Sequence, residues 1–168
     1  MNSKAKPKRT VMTGIDPVLK FAAKGNLAVV KKILAEQPAF LNAMSDGHHR
    51  TFLWEAAHSN RLEVVKYLVQ KGADVNIPGR YRSETFVLLK PYCIAAKRQR
   101  KEIANFLLTN GTERDIYSVA FLGNLEMLKK LVAKNASLIN ATHPEDSAWD
   151  ATPLHYAIAE NRLKPQDF

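Results

Sequence analysis

Few residues of this chain have the types and spacing that catalysis or metal binding requires. The adjacent His48 and His49 have no third ligand at a spacing typical of zinc sites. Asp146 and Asp150 are loop acids without a visible catalytic partner. The sequence contains no phosphate-binding glycine loop, nucleophile elbow or paired-cysteine zinc motif. We therefore expect no catalytic residue, no metal and no cofactor, and a protein that is not an enzyme.

Basic residues are the strongest candidates for binding chemistry, because they are concentrated in two zones. The net charge is +9. Residues 1–10 hold four basic and no acidic residues, and residues 79–105 hold seven basic and two acidic ones, whereas the remainder has 14 of each. The second zone includes Arg80-Tyr81-Arg82 and the run KRQRK at 97–101. Each zone needs its own explanation. The first fits a nuclear-import or anionic-surface signal and KRQRK fits a nucleic-acid contact, but for these two segments we favour a solvated, disordered tail and a solvated turn.

The size and composition indicate the class of protein. A length of 168 residues suits one domain with a buried core. No apolar run is long enough for a membrane span, and the basic start MNSKAKPKRTVMTGID lacks the apolar stretch of a signal peptide. The one cysteine, Cys93, excludes an internal disulfide framework and fits a reducing compartment. We expect an intracellular, cytoplasmic protein, with the nucleus as an alternative because of KPKR at 6–9.

A unit of two short helices joined by a turn recurs along the chain. In the first helix of each of the first four units, an alanine occupies the equivalent position: Ala22, Ala57, Ala96 and Ala120. Ile158 occupies this position in the fifth unit. The turns that follow are expected at Gly25, Asn60, Gln99, Gly123 and Asn161. The apolar spacing predicts first helices near 17–23, 52–58, 91–97, 115–121 and 153–159. It predicts second helices near 27–35, 62–70, 101–109 and 125–134.

These units resemble ankyrin repeats, most closely in TPLHYA at 152–157 and KGADVN at 71–76. The resemblance covers roughly residues 14–168. It implies an all-α solenoid of stacked helix pairs behind a disordered basic tail at 1–13. It also implies that His155 hydrogen-bonds within its backbone turn. Trp54 and Cys93 occupy the same repeat position in the second and third repeats, and we expect both in the core. The implied repeats, four near-complete and a partial fifth, lie at about 15–45, 46–78, 84–112, 113–142 and 150–168.

The fifth repeat has too little chain to be complete. Only 17 residues run from Thr152 to the terminus, whereas an ankyrin repeat needs about 33. The helix LHYAIA is not the polar cap that the end of a stack requires. We expect either further repeats after residue 168 or another chain over this end, and we favour the first.

The resemblance implies a protein-binding scaffold, and the departures from the repeat pattern predict its site. The long loops 76–91 and 140–151 flank a junction between the third and fourth repeats that has no finger, which suggests a recess. Positive charge and apolar side chains around it suit an acidic segment with an apolar anchor. The alternative is a nucleic acid or an anionic surface bound through 79–105 and the tail. The predicted partner-binding residues are Arg80, Tyr81, Arg82, Lys97, Arg98, Phe121, Leu122 and Trp149.

Two details of this prediction have alternatives. Phe121 and Leu122 are apolar where exposure is expected. Either a loop covers them, with Trp149 or Phe86 as the lid, or they form an exposed hot spot. The segment LVQKGADVN at 68–76 resembles a substrate motif of asparagine hydroxylation with Asn76 as acceptor, but we favour a structural role in which Asn76 ties down its own hairpin.

Overall fold

Helix pairs form almost all of the regular structure. The computed structural model describes residues 14–82, 87–145 and 150–160, so the predicted tail lies outside the described residues. The helices, in chain order, are α1 (Asp16–Lys24), α2 (Leu27–Glu36), α3 (Phe52–His58), α4 (Leu62–Gln70), α5 (Pro91–Lys97), α6 (Lys101–Thr109), α7 (Ile116–Phe121), α8 (Leu125–Lys134) and α9 (Pro153–Glu160). Two 3₁₀ turns, Pro38–Asn42 and Ala136–Asn140, follow α2 and α8. The all-α prediction is confirmed, and every predicted helix boundary lies within one residue of the observed one.

One residue with left-handed backbone makes the turn inside each of the four pairs. Gly25 has φ 79°, Asn60 has φ 60°, Gln99 has φ 59° and Gly123 has φ 67°. Glycine and asparagine adopt this conformation most readily. The four turn positions predicted from the sequence are therefore confirmed.

Side chains at helix starts satisfy backbone N–H groups that have no partner within the helix. Thr51 accepts a hydrogen bond from the backbone N–H of Trp54 at 3.1 Å, which starts α3. Asp115 accepts one from Ser118 at 2.7 Å, which starts α7. These local bonds fix where α3 and α7 begin.

The core runs along the stack between the helix layers. In the first layer α1 packs on α3 and α3 on α5, while α7 packs on α9. In the second layer α2 packs on α4 and α4 on α6. Ala22 and Ala57 are fully buried, as are Trp54 and Cys93. The predicted core positions of Trp54 and Cys93 are thus confirmed.

Polar contacts join α5 to α7 at the junction without a finger. The Lys90 ammonium lies 3.1 Å from an Asp115 carboxylate oxygen and donates to the carbonyl of Glu113 at 2.9 Å. The Cys93 thiol lies 3.8 Å from the carbonyl oxygen of Ser118. Burial raises the pKa of this thiol, so Cys93 stays protonated and has a structural role.

The two ends of the long loop before α5 pair with each other as the base of a hairpin. Strand β1 (Gly79–Arg80) pairs antiparallel with β2 (Leu88–Leu89), with Gly79 opposite Leu89 and Arg80 opposite Leu88. Val87 and Leu89 are buried. The enlarged finger therefore folds onto the core through its base.

Large apolar side chains are exposed at the end of the stack. The second helices α2, α4 and α6 each bury two or three side chains, whereas α8 buries none. Leu154 is 65% exposed and Ile158 55%. The expectation that this face needs a cover thus has a structural basis, and what covers it stays a prediction.

Candidate partner-binding site

Arg50 holds the first strand of the hairpin against α3. Its Nε donates to the carbonyl of Arg80 at 2.9 Å, and Nη2 donates to the carbonyl of Tyr81 at 3.0 Å. Its Nη1 pairs with Glu55 at 3.1 Å. The guanidinium lies over the Trp54 ring, 4.2 Å from its centroid. Each of the three guanidinium nitrogens of Arg50 thus has a partner within the chain, and Glu55 pairs with its charge.

The indole of Trp54 holds the second strand. Its Nε1 donates to the carbonyl of Leu89 at 2.8 Å. Gly79 lies so close that a Cβ atom there would meet Trp54 and Arg50 side-chain atoms at 2.9 Å. Both strands of the hairpin are therefore fixed on one tryptophan.

Phe121 is buried, with Tyr81 packed against it. Phe121 is 2% exposed, and its ring lies edge-on to Tyr81 with centroids 5.6 Å apart. Leu122 is half-buried. Of the two alternatives, the structure shows the covered one, with Tyr81 among the covering residues. The two expected lids, Trp149 and Phe86, lie outside the described residues.

Aromatic stacking anchors the second long loop. His143 is buried, with its ring centroid 4.6 Å from Tyr117 and 5.7 Å from Tyr156. The backbone N–H of His143 donates to the carbonyl of Ala151 at 3.0 Å, and the hydroxyl of Tyr117 donates to the carbonyl of Thr142. The described ends of the loop are thus attached to α7 and α9.

The predicted basic residues differ in exposure. Arg80 is half-buried, and its Nε is shielded from solvent without a hydrogen-bond partner among the described residues. Arg82 is exposed, with its guanidinium 5.2 Å from the Tyr81 ring centroid. Lys97 is half-buried and Arg98 exposed. The structure brings Arg82, Tyr81 and Phe121 together, and it places Lys97 and Arg98 at the end of α5.

His58 is a member of the site that sequence reasoning did not select. Its ring stacks on Trp54, with centroids 5.1 Å apart and planes inclined by 18°. Burial, followed by the charges of Arg98, Arg50 and Arg100, lowers the pKa of His58 from 6.5 to about 4. The imidazole is therefore neutral near pH 7. The sequence signal was its position, since His58 ends α3 as Lys97 ends α5.

His155 and Asn76 lie outside this region and form hydrogen bonds within the chain. Thr152 donates its backbone N–H to His155 Nδ1 at 3.1 Å, which confirms the turn bond expected for His155. Asn76 donates to the carbonyl of Gly111 at 3.1 Å and accepts from the N–H of Glu113 at 3.0 Å. Asn76 thus has the structural role that the sequence predicts, but its side chain binds the next loop and not its own hairpin.

The described residues offer no metal centre or membrane span. No three of their histidine, cysteine and acidic side chains are grouped as metal ligands would be. Among the described helices, none has the length and apolarity to cross a bilayer.

The comparisons with known proteins agree with the fold. Two family models, both described as ankyrin repeats, match residues 2–78 and 53–108. The crystal structure of the human ASB11 ankyrin repeat domain superposes with a TM-score of 0.50 at 24% identity, covering 88% of this chain and 64% of that one.

Relatives among curated proteins are distant and much longer. The human transient receptor potential cation channel subfamily A member 1 is 24% identical over 142 residues, which is 81% of this chain and 12% of that protein. Alpha-latrocrustotoxin-Lt1a of Latrodectus tredecimguttatus is 27% identical over 111 residues, which is 61% of this chain and 7% of that protein. The chain spans at most 33% of the length of the first relatives it matches.

Proposed function

Because the chain belongs to the ankyrin repeat family, whose fold typically serves as a non-catalytic scaffold for protein–protein interaction, we propose that it binds an acidic segment of a protein partner. The binding surface is the concave side around the second to fourth repeats, near loops 77–90 and 140–151. We also propose that binding takes place inside the cell, in the cytoplasm.

The observation that carries this proposal is unneutralised positive charge beside α5. Arg98 and its neighbour Arg100 are both exposed. Within residues 14–82, 87–145 and 150–160, neither guanidinium has an ion pair or a side-chain hydrogen bond. Guanidinium groups bind carboxylates and phosphates through paired hydrogen bonds. An acidic partner segment would supply the anions that the described residues do not.

The apolar part of the proposed surface is smaller than the sequence suggested. Tyr81 and Leu122 are half-buried and retain accessible area. Phe121 contributes from beneath, because Tyr81 packs on its edge. Arg80, Arg82 and Lys97 supply further charge, and Trp149 remains a proposed anchor from outside the described residues. Charge thus contributes mainly to encounter, and the aromatic side chains to the lifetime of the complex.

The experiment is affinity capture of partners, followed by cross-linking to map the contact. The lysate is treated with nuclease, so that proteins bridged by nucleic acid are lost. The variant is Arg82→Ala with Arg98→Ala, and the matched control is Lys129→Ala with Lys130→Ala, two exposed residues of α8. We expect one acidic partner to be retained by the parent and the control and to cross-link to residues 80–98.

Two results would overturn this function. One is a partner that binds the parent and both variants equally, with cross-links elsewhere on the chain. The other is capture that disappears with nuclease, together with binding that weakens linearly in the logarithm of the salt concentration. The second result would support the nucleic-acid alternative through 79–105 and the tail.

A further inference from the structure

We propose that Arg98, Arg100 and His58 form a phosphoryl-binding site between the ends of α3 and α5, which takes a phosphorylated side chain of the partner segment. The inference rests on the proposed function, because it specifies the anion that the partner presents. It adds two residues, His58 and Arg100, to those predicted from the sequence.

The placement of the three residues follows from the packing of α3 on α5. His58 is the last residue of α3, Arg98 is the residue after α5, and Arg100 immediately precedes α6. The left-handed turn at Gln99 keeps the two arginines close together, with the N–H of Arg100 donating to the carbonyl of Ala95 at 2.8 Å. Both guanidinium groups therefore start from one tight turn beside the imidazole.

The charges around the imidazole are positive. The charged groups that perturb His58 most are Arg98, Arg50 and Arg100, and each lowers its pKa. Glu55 lies one turn earlier on α3, but it is paired with Arg50 at 3.1 Å. An anion between Arg98 and Arg100 would meet two guanidinium groups to which no carboxylate is bound within the described residues.

The imidazole is held in place before any ligand binds. Trp54 stacks on one face of His58 at 5.1 Å. Trp54 is itself fixed by its bond to Leu89 and by Arg50 on its ring. A group positioned in this way costs little conformational entropy when it binds a ligand.

A phosphate monoester fits this set better than a carboxylate. It carries a charge of about −1.5 to −2 near pH 7 and three acceptor oxygens. Two guanidinium groups can neutralise it through bidentate bonds. The dianion also offsets the arginine charges at His58, so that the imidazole can take up a proton and donate a further hydrogen bond. A phosphodiester carries only one negative charge, so it favours protonation of the imidazole less.

The test uses three probes on the full chain at constant ionic strength. They are a five-residue alanine peptide with a central phosphoserine, the same peptide with glutamate, and a short oligothymidylate. Nuclear magnetic resonance measures the dissociation constants and the titration of the His58 ring. The variant is Arg98→Ala with Arg100→Ala, and the control is Arg114→Ala with Lys130→Ala, which removes two exposed charges elsewhere.

We expect the phosphoserine peptide to bind more tightly than the other two probes and to raise the pKa of His58 by about one unit or more. The arginine variant should weaken this binding about tenfold or more, since it removes two charged donors. The control should bind like the parent. Circular dichroism confirms that each variant is folded.

Three outcomes would overturn the inference: equal binding of phosphoserine and glutamate peptides, preference for the oligonucleotide, or equal loss in the variant and the control. These outcomes are separable from those of the proposed function. A captured partner that still binds Arg98→Ala with Arg100→Ala and still cross-links to residues 80–98 supports protein binding at this surface and removes the phosphoryl site. Binding of the phosphoserine peptide without any captured protein supports the phosphoryl site and removes the proposed scaffold function.

Discussion

The hydroxyl of Tyr156 accepts a hydrogen bond from the backbone N–H of Leu88 at 3.1 Å, although the two residues are 68 positions apart. Leu88 belongs to the hairpin and Tyr156 to α9. The hairpin is also bound to α3 through Trp54 and Leu89. The inserted loop therefore connects the early part of the stack to its last described helix.

Tyr156→Phe should destabilise the fold by about 1–2 kcal/mol, because a buried N–H then loses its partner. Urea unfolding measures the change in the free energy of unfolding. Tyr67→Phe is the control, since the half-buried Tyr67 hydroxyl has no hydrogen bond in the described part of the chain. Faster amide exchange at Leu88 should accompany the loss. A variant as stable as the parent would show that this bond is dispensable.

Gly79→Ala should destabilise the protein by about 1–3 kcal/mol through overpacking. The new methyl group would lie 2.9 Å from side-chain atoms of Trp54 and Arg50. Gly47→Ala is the matched control, because nothing lies within 4 Å of a Cβ at Gly47. Thermal unfolding of the two variants gives the comparison. Equal melting temperatures would indicate that the hairpin base shifts at little cost.

The helices could be predicted from the sequence because their signals are local. Apolar spacing, small residues at fixed positions and the turn residues Gly25, Asn60, Gln99 and Gly123 all lie within a few positions of the helices that they define. Stacking of repeats then needs only contacts between neighbours. For these reasons the pattern predicted the helix boundaries closely.

The site was less predictable because its contacts are distant in sequence. The pairing of Tyr81 with Phe121 and of Leu88 with Tyr156 depends on how an inserted loop folds back, and no repeat pattern encodes that. The contacts of Asn76 were hard to predict for the same reason, because its partners lie in the next loop. The importance of His58 arises from burial and from the charges of three arginines, two of them on the neighbouring repeat, which a reading along one helix does not reveal.

Acid should destabilise the protein through His58. Its pKa is about 4 when folded and 6.5 otherwise. Between these values the unfolded chain binds a proton that the folded chain does not, so stability falls as the pH drops from about 6.5 to about 4 and then levels off. Solvent screening of a half-buried ring limits the loss to roughly 2 kcal/mol.

Urea unfolding as a function of pH measures this loss. His58→Gln should remove that part of the pH dependence, because the titrating group is gone. His49→Asn is the control, since asparagine tolerates the left-handed backbone at this position (φ 51°) and His58 is kept. If both variants lose stability in acid as the parent does, His58 is not the group responsible.

The roles of charge and aromatic contact should separate in binding kinetics. Arg82 is exposed, so Arg82→Ala should lower the association rate of an acidic partner, by severalfold at low salt, and leave dissociation almost unchanged. Tyr81→Ala should instead raise the dissociation rate about tenfold or more, because it removes aromatic contact area and uncovers Phe121. Stopped-flow mixing at several salt concentrations measures both rates with the captured partner. Lys129→Ala serves as the control, since this exposed lysine lies on α8, outside the proposed site. If Arg82→Ala changes only the dissociation rate, this side chain is buried in the complex, with its charge paired directly to the partner, and long-range attraction contributes little.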